Sequence, residues 1–470
     1  MYKTYLLLSI FIPLLGATVL WLLRGRVRNG FAVLLSISSL VFTCLLIPPV
    51  LEGTIVEINI PVLRSGLFTL SFIGDGVGFI FAFIFSLLGA IAVIYSLEYM
   101  KGFAHQTEYY YMTVLMVGSL MGVAFSRNLI LLYIFWEIAT LTTWRLVGFH
   151  RGEKETAIAN KTFMMIFAGS SFMLLGFVMI YSDARTFDLI SLKTYSPSHL
   201  VLFFIFIGII TKAAILPIHN WLPDAHTVAP SPMSALLSGI VVKIGILAFV
   251  RIFCWTFGAS WRWILILAVI SSIVAASSAL MQKDMKKIIA YSTVSQLGYM
   301  LLGFALLSEI GLAAGLLYFV VHAVGKAGLF LCAGIVEQKC GERDISKLGG
   351  LIKVLPITGT AFAFCALSIV GMPPFGGFFG KFMVIGALVK DGNVWIAALA
   401  VFAAVLTMLY LFRLFSGVFL GDLKLTGIRE GSKVMIVCAL FLGIVSLFIG
   451  LFIRQILTLI DIGVMGVFKG

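Results

Sequence analysis

Charge is what this chain has least of. Only 11% of its 470 residues are Asp, Glu, Lys or Arg, against about a quarter in soluble domains, while 61% are hydrophobic and the mean hydropathy is +1.12. That shortage excludes a water-soluble globular domain. Cysteine is also sparse: Cys44, Cys254, Cys332, Cys340, Cys365 and Cys438 form no C-x-x-C pair and mostly lie in apolar runs. They are small core residues and not ligands of a metal or an iron–sulfur cluster. No flavin, haem or nucleotide fingerprint is present, so no cofactor is expected on this chain.

What the chain has instead is long apolar runs. A bilayer-spanning helix needs about 20 predominantly apolar residues, and about fourteen runs qualify: 5–23, 31–51, 77–97, 109–126, 128–149, 161–182, 200–218, 233–253, 263–281, 288–307, 311–335, 355–371, 394–420 and 433–459. A shorter piece, 375–390, completes the twelfth. The expected fold is an all-α polytopic membrane protein with too little loop for a soluble domain. The first run is read as a retained helix and not a signal peptide, because no A-x-A-like site follows and Arg24, Arg26 and Arg28 flank it.

The net charge of +13 reflects membrane orientation rather than nucleic-acid binding. Lys and Arg concentrate in loops after odd-numbered segments, such as Lys283, Lys286, Lys287, Lys339, Arg343 and Lys347. Fewer lie at the termini and in the other loops, where Arg64, Arg127, Arg185 and Lys469 are found. The positive-inside rule puts the first set in the cytoplasm and both termini outside, in a prokaryotic cell membrane.

Against this background several charges stand out. Lys212, Lys243, Lys326 and Lys381 each lie within an apolar run, and Glu137 is the only acid in the middle of an unbroken one. A charge at the bilayer centre costs about 2.5–3.5 kcal/mol on insertion scales, so such groups mark an ion or proton path. A lysine next to a carboxylate stays charged, and a desolvated one releases its proton. A Glu137–Lys212 pair that separates and reforms would therefore be a two-state switch. Lys243, Lys326 and Lys381 would pass the proton on, helped by His322, one turn before Lys326. Ser292, Ser295, Gln296 and Tyr299 could order water between them.

Duller readings stand beside these. Lys101, Lys161 and Lys381 lie near helix ends and can snorkel, and Glu137 can merely neutralise a structural lysine. His219, Asp224 and His226 have a spacing that suggests a metal but also suits helix capping or water. Asp75 and Glu98 bracket the third run at the interface. Arg145, eight residues after Glu137, either snorkels or tunes that carboxylate.

Two places break the helices: Leu216-Pro217-Ile218-His219-Asn220-Trp221-Leu222-Pro223 with Pro230 and Pro232, and Gly371-Met372-Pro373-Pro374-Phe375-Gly376-Gly377. Proline removes a donor and clashes with the preceding turn. Broken backbone at membrane depth is tolerated only within protein or beside water. Five segments separate the seventh from the twelfth, which suggests two inverted five-helix repeats. The organisation is then 1–100 for the first three helices, 109–253 and 263–420 for the repeats, and 433–470 for a fourteenth helix.

The same residues carry a family resemblance. Lys212-Ala213-Ala214, Pro217, His219-Asn220-Trp221-Leu222-Pro223-Asp224-Ala225-His226, Pro230-Ser231-Pro232 and Lys243 resemble the core signature of the antiporter-like subunits. These occur in complex I (NADH:quinone oxidoreductase), in membrane-bound hydrogenases and in multisubunit Mrp cation/proton antiporters. Phe135-Trp136-Glu137, Asp284-Met285-Lys286-Lys287, Ser295-Gln296-Leu297-Gly298-Tyr299, His322, Lys326 and Gly371 to Lys381 extend the match over most of 75–390.

The resemblance implies fourteen helices, discontinuous seventh and twelfth helices, and one translocation path. Along it, Glu137 and Lys212 are the input pair, Lys243 the central relay and Lys381 the exit. Lys381 favours an N-type or Mrp D-type member over an M-type, and the short stretch after the last run differs from L-type members. Trp144-Arg145 departs from the small or apolar residues expected there. Two functions follow: a proton-translocating subunit of a redox complex, or a subunit of an Na⁺/H⁺ antiporter without a redox partner. Either implies other membrane subunits as partners. Any oxidoreductase activity would belong to the complex and not to this chain.

Overall fold

A computed structural model describes residues 1–61 and 69–468; Arg64 and Lys469, counted above with the outer charges, lie outside them. The chain opens with α1 (Tyr2–Val19) and α2 (Gly25–Leu51), followed by an antiparallel hairpin of β1 (Val56–Pro61) and β2 (Thr69–Gly74). Then come α3 (Gly76–Tyr99), α4 (Gln106–Phe125), α5 (Leu129–Val147), α6 (Glu153–Ala184), α7 (His199–Lys212), α8 (Trp221–Val228) and α9 (Ser231–Thr256). The second half holds α10 (Arg262–Met281), α11 (Met285–Ala305), α12 (Glu309–Cys340), α13 (Pro356–Val370), α14 (Gly376–Lys390) and α15 (Val394–Phe419). It ends with α16 (Lys433–Leu451) and α17 (Ile453–Phe468).

Among the described residues, eleven helices are long and apolar enough to cross a bilayer. With α4 and the two broken pairs, α7–α8 and α13–α14, they make up the fourteen segments expected. Starts are set by side-chain caps that satisfy first-turn N–H groups: Asp75 on Gly78, Asn128 on Ile130 and Leu131, Asp284 on Lys287 and Ser308 on Gly311. Helices α9, α11 and α12 form the centre; the apolar window of α9 is 100% buried and that of α1 only 28%. Large apolar side chains that stay exposed, such as Trp395, Phe402 and Phe412 on α15, form the lipid-facing surface of a membrane protein.

Two elements differ from the sequence reading. The hairpin was not expected; its first strand alternates buried Val56 and Ile58 with exposed neighbours, a short period-two pattern that a 20-residue window misses. The last apolar run is two helices and not one, because the backbone turns at Phe452 (φ −105°, ψ 34°), leaving α17 to pack beside α3 and α12.

The two halves share a residue-level device. Leu129 N–H donates to Phe187 O at 3.0 Å and Leu189 N–H to Arg127 O at 2.9 Å. Met285 N–H donates to Arg343 O at 2.9 Å and Ile345 N–H to Lys283 O at 3.0 Å. The four positions 127, 129, 187 and 189 thus recur at 283, 285, 343 and 345, a constant step of 156 residues. Each clamp ties the start of one helix to the loop after the next. Five candidate membrane segments lie between the two, and an odd number of crossings would put them on opposite faces.

Candidate functional site

Each break leaves orphan carbonyls at the end of its first half-helix, and the functional lysines sit beside them. At the first, Trp221 Nε1 donates to Thr211 O at 2.9 Å, holding α8 against the end of α7, where Lys212 is fully buried. Helix α7 stops at Lys212, four residues before Leu216, so the break starts earlier than the prolines indicate. At the second, Gly371 ends α13 with φ +88° and Lys381 Nζ donates to Val370 O at 3.1 Å. Lys381, only 5% exposed, therefore points into the break and does not snorkel.

Lys212 Nζ donates to Thr140 Oγ1 at 2.9 Å and lies 5.6 Å from the centre of the Trp136 ring. Glu137 is on the same helix as Trp136 and Thr140, but its carboxyl faces Tyr133 and Ser170, and its Oε1 has no partner. The two charges are thus within electrostatic reach but not in contact. Lys243 donates to Ser238 O on its own helix, where α9 contains a π-turn at Leu237–Val241. Lys326 donates to Ile289 O at 3.1 Å and to Ser292 Oγ. None of the four lysines has a carboxylate within 4 Å among the described residues.

Hydroxyls lie among them, and two of the lysines, Lys212 and Lys326, bond one directly. Ser238 Oγ and Thr293 Oγ1 are 2.7 Å apart, and Ser292 Oγ lies 2.6 Å from Tyr410 OH. Gln296 Nε2 reaches Thr407 Oγ1 at 3.0 Å and Tyr410 OH at 3.3 Å, while Tyr318 OH donates to Gln296 Oε1. Lys381 Nζ is 6.0 Å from the Tyr318 ring centre and 5.6 Å from that of Tyr299. His322 is fully buried between these groups and neither ring nitrogen has a partner.

The secondary candidates separate. Asp224 pairs with Lys161 at 2.7 Å at the surface, and His226 stacks on Phe330 at 4.3 Å with both nitrogens free. His219 faces the Tyr291 ring. The three do not converge, and no metal-holding group of three occurs among the described residues. Arg145 pairs with Glu108, which also binds Arg151 at 2.5 Å, and makes no contact with Glu137.

Two further charges are buried in pairs that sequence reasoning does not reveal. Asp75, read as interfacial, is 4% exposed and paired with the 1%-exposed Arg251 at 2.5 Å. Lys286, counted as a loop charge, is 2% exposed and paired with Glu337 at 2.7 Å. Tyr318, Thr407 and Tyr410 were missed. Tyr318 lies four residues before His322 and eight before Lys326, a helical spacing that could have revealed it.

Residues 126–407 match the family described as NADH:quinone oxidoreductase/Mrp antiporter, TM. The chain is 32% identical to an Na(+)/H(+) antiporter subunit of Alkalihalophilus pseudofirmus over 95% of its own length, spanning 60% of that protein. It is also 32% identical to NADH-quinone oxidoreductase subunit M of Rickettsia prowazekii, over 83% of this chain and 82% of that one. Its fold is similar to a chain of the Mrp complex from Dietzia sp. DQ12-45-1b, with a TM-score of 0.91 and 24% identity over 99% and 98% of the two chains.

Proposed function

The chain belongs to the NADH:quinone oxidoreductase/Mrp antiporter family of membrane subunits, and from that premise we propose that it carries protons across the membrane through Glu137, Lys212, Lys243, Lys326 and Lys381. The observation behind this reading is the set of four buried lysines without carboxylate partners, with the buried hydroxyl pairs Ser238–Thr293 and Ser292–Tyr410 among them. An uncompensated buried ammonium is costly, so each lysine is poised to give up its proton. Lys212 on Thr140, apart from Glu137, corresponds to the separated state of the input switch. His322, lacking any partner, can hold or hand on a proton between the lysines.

In this reading the chain works within a multisubunit membrane complex whose partner subunits supply the driving force by electron transfer. It lies in a prokaryotic cell membrane with both termini outside. A second reading, exchange of Na⁺ for protons without a redox partner, is favoured by the likeness to an Mrp-complex chain over nearly its full length.

Two experiments test these statements. Lys212→Ala should abolish translocation in vesicles that still contain the assembled complex. Lys212→Arg should also impair it, because a guanidinium does not deprotonate in this pH range. Unchanged transport with either substitution removes Lys212 from the path. Purification of the tagged chain from native membranes separates the two drives: co-purifying iron–sulfur or quinone-reducing subunits support the first, and small hydrophobic antiporter subunits alone support the second.

A further inference from the structure

We propose that Gln296 is the proton gate between Lys326 and Lys381: its amide interrupts the hydroxyl chain that runs from Lys326 through Ser292 and Tyr410 to Tyr318, and a proton passes only when water takes the amide's place. The inference rests on the relay reading above and concerns its exit half.

From Lys326 the contacts run through Ser292 Oγ to Tyr410 OH, then to Gln296 Nε2, across the amide to Oε1, and on to the OH of Tyr318, whose ring centre lies 6.0 Å from Lys381 Nζ. Ser292, Tyr410 and Tyr318 are fully buried and Gln296 is 1% exposed, so bulk water does not bypass them. A hydroxyl accepts and donates at one oxygen, so a proton arriving on one side can leave on the other. A primary amide accepts at oxygen and donates at nitrogen. To conduct, it must be protonated and pass through an imidic acid, which a neutral buried amide resists. Turned end for end, Gln296 would insulate equally well.

The side chain is also placed to switch. Nε2 carries two protons but faces three oxygens, Ser295 Oγ at 3.2 Å, Thr407 Oγ1 at 3.0 Å and Tyr410 OH at 3.3 Å. One of them is always left unserved, and the longest contact is the one in the chain. On the Lys243 side no side-chain amide intervenes: Lys243 donates to the Ser238 carbonyl, Ser238 Oγ pairs with Thr293 Oγ1, and Thr293 shares the Ile289 carbonyl with Lys326. The side-chain amide, which can swing aside as a backbone carbonyl cannot, stands toward the exit, where a standing wire would let protons run back. When water bridges Tyr410 to Tyr318 and Tyr318 to Lys381, the Lys326 ammonium gives up one proton and the Lys381 amine gains one, and no other atom changes charge.

Replacing Gln296 by Ala frees space for about one or two waters. In native-membrane vesicles carrying the whole complex and no energy source, Gln296→Ala should speed the decay of an imposed pH gradient several-fold. The double variant Gln296→Ala/Lys381→Ala should return it to the wild-type rate, which a nonspecific defect in packing would not do. An unchanged decay in Gln296→Ala, or a leak that persists in the double variant, overturns the gate. If Gln296→Ala fails to assemble, Gln296→Ser carries the same expectations. Loss of transport in Lys212→Ala without a leak in Gln296→Ala rejects the gate alone, whereas intact transport in Lys212→Ala rejects the relay on which it rests.

Discussion

Buried charges in this chain come in two kinds, and the difference lies in their partners. Lys212, Lys243, Lys326 and Lys381 hold only hydroxyls or carbonyls. Arg251 instead holds both oxygens of Asp75, at 2.5 and 2.6 Å, and the carboxylate also caps α3 through Gly78. Such a pair adds little over apolar packing, but removing one member strands the other at a cost of about 3–5 kcal/mol. Arg251→Met should therefore lower the melting temperature of the purified complex sharply. Asp75→Ser/Arg251→Met, which keeps a capping hydroxyl and strands no charge, should recover most of the loss; equal damage in both variants refutes this account. The free lysines were legible because a cation in an apolar run is anomalous wherever its neighbours lie. Asp75–Arg251 and Ser292–Tyr410 were not, since their partners are 176 and 118 residues apart in sequence. The Glu137–Lys212 distance also escaped, because it depends on which face of α5 meets α7.

At the level of elements, the breaks and the clamps do the positioning. In the second break a Cβ on Gly377 would lie 1.7 Å from Ser368 O, so α13 and α14 can meet only over a bare glycine. Gly377→Ala should push the halves apart, cost about 1–3 kcal/mol as overpacking does, and displace Lys381 from Val370. Reduced thermal stability together with lost transport would bear this out; normal values of both would refute it. Of the clamps, the one at 127–189 is reinforced by Arg127 binding Asp188 at 2.6 Å. Burial raises the Asp188 carboxyl, but the Arg127 and Ser191 hydrogen bonds outweigh it and leave it below its ordinary value. A depressed carboxyl contributes stability above its unfolded value and loses it as pH falls through the folded one. Asp188→Asn should thus remove part of the acid sensitivity of unfolding below about pH 4, and an unchanged pH profile would speak against the pair. Proline and glycine made both breaks visible in sequence. The clamps were hidden because their matched positions, Arg127-Asn128-Leu129 with Lys283-Asp284-Met285 and Phe187-Asp188-Leu189 with Arg343-Asp344-Ile345, share a single identical residue, Asp188 and Asp344.

For the whole molecule, the clamps make the inverted architecture a question of sidedness. The loop holding Thr194 follows the sixth segment and the loop holding Ser346 follows the eleventh, with five crossings between them. Both residues are exposed. The charge bias puts Thr194 outside, and Ser346, among Lys339, Arg343 and Lys347, in the cytoplasm. In a cysteine-free background, Thr194→Cys should react with a membrane-impermeant maleimide in right-side-out vesicles, and Ser346→Cys only after the membrane is opened. Labelling of both from one side would mean an even number of crossings between them and would break the inverted relation. Labelling with the sides exchanged would preserve the repeat but reverse the orientation, and with it the direction in which Gln296 stands between Lys326 and the exit. For the proposed gate, sidedness sets the purpose: with Ser346 inside, a closed amide would stop protons that an energised membrane drives inward through Lys381 from reaching Lys326.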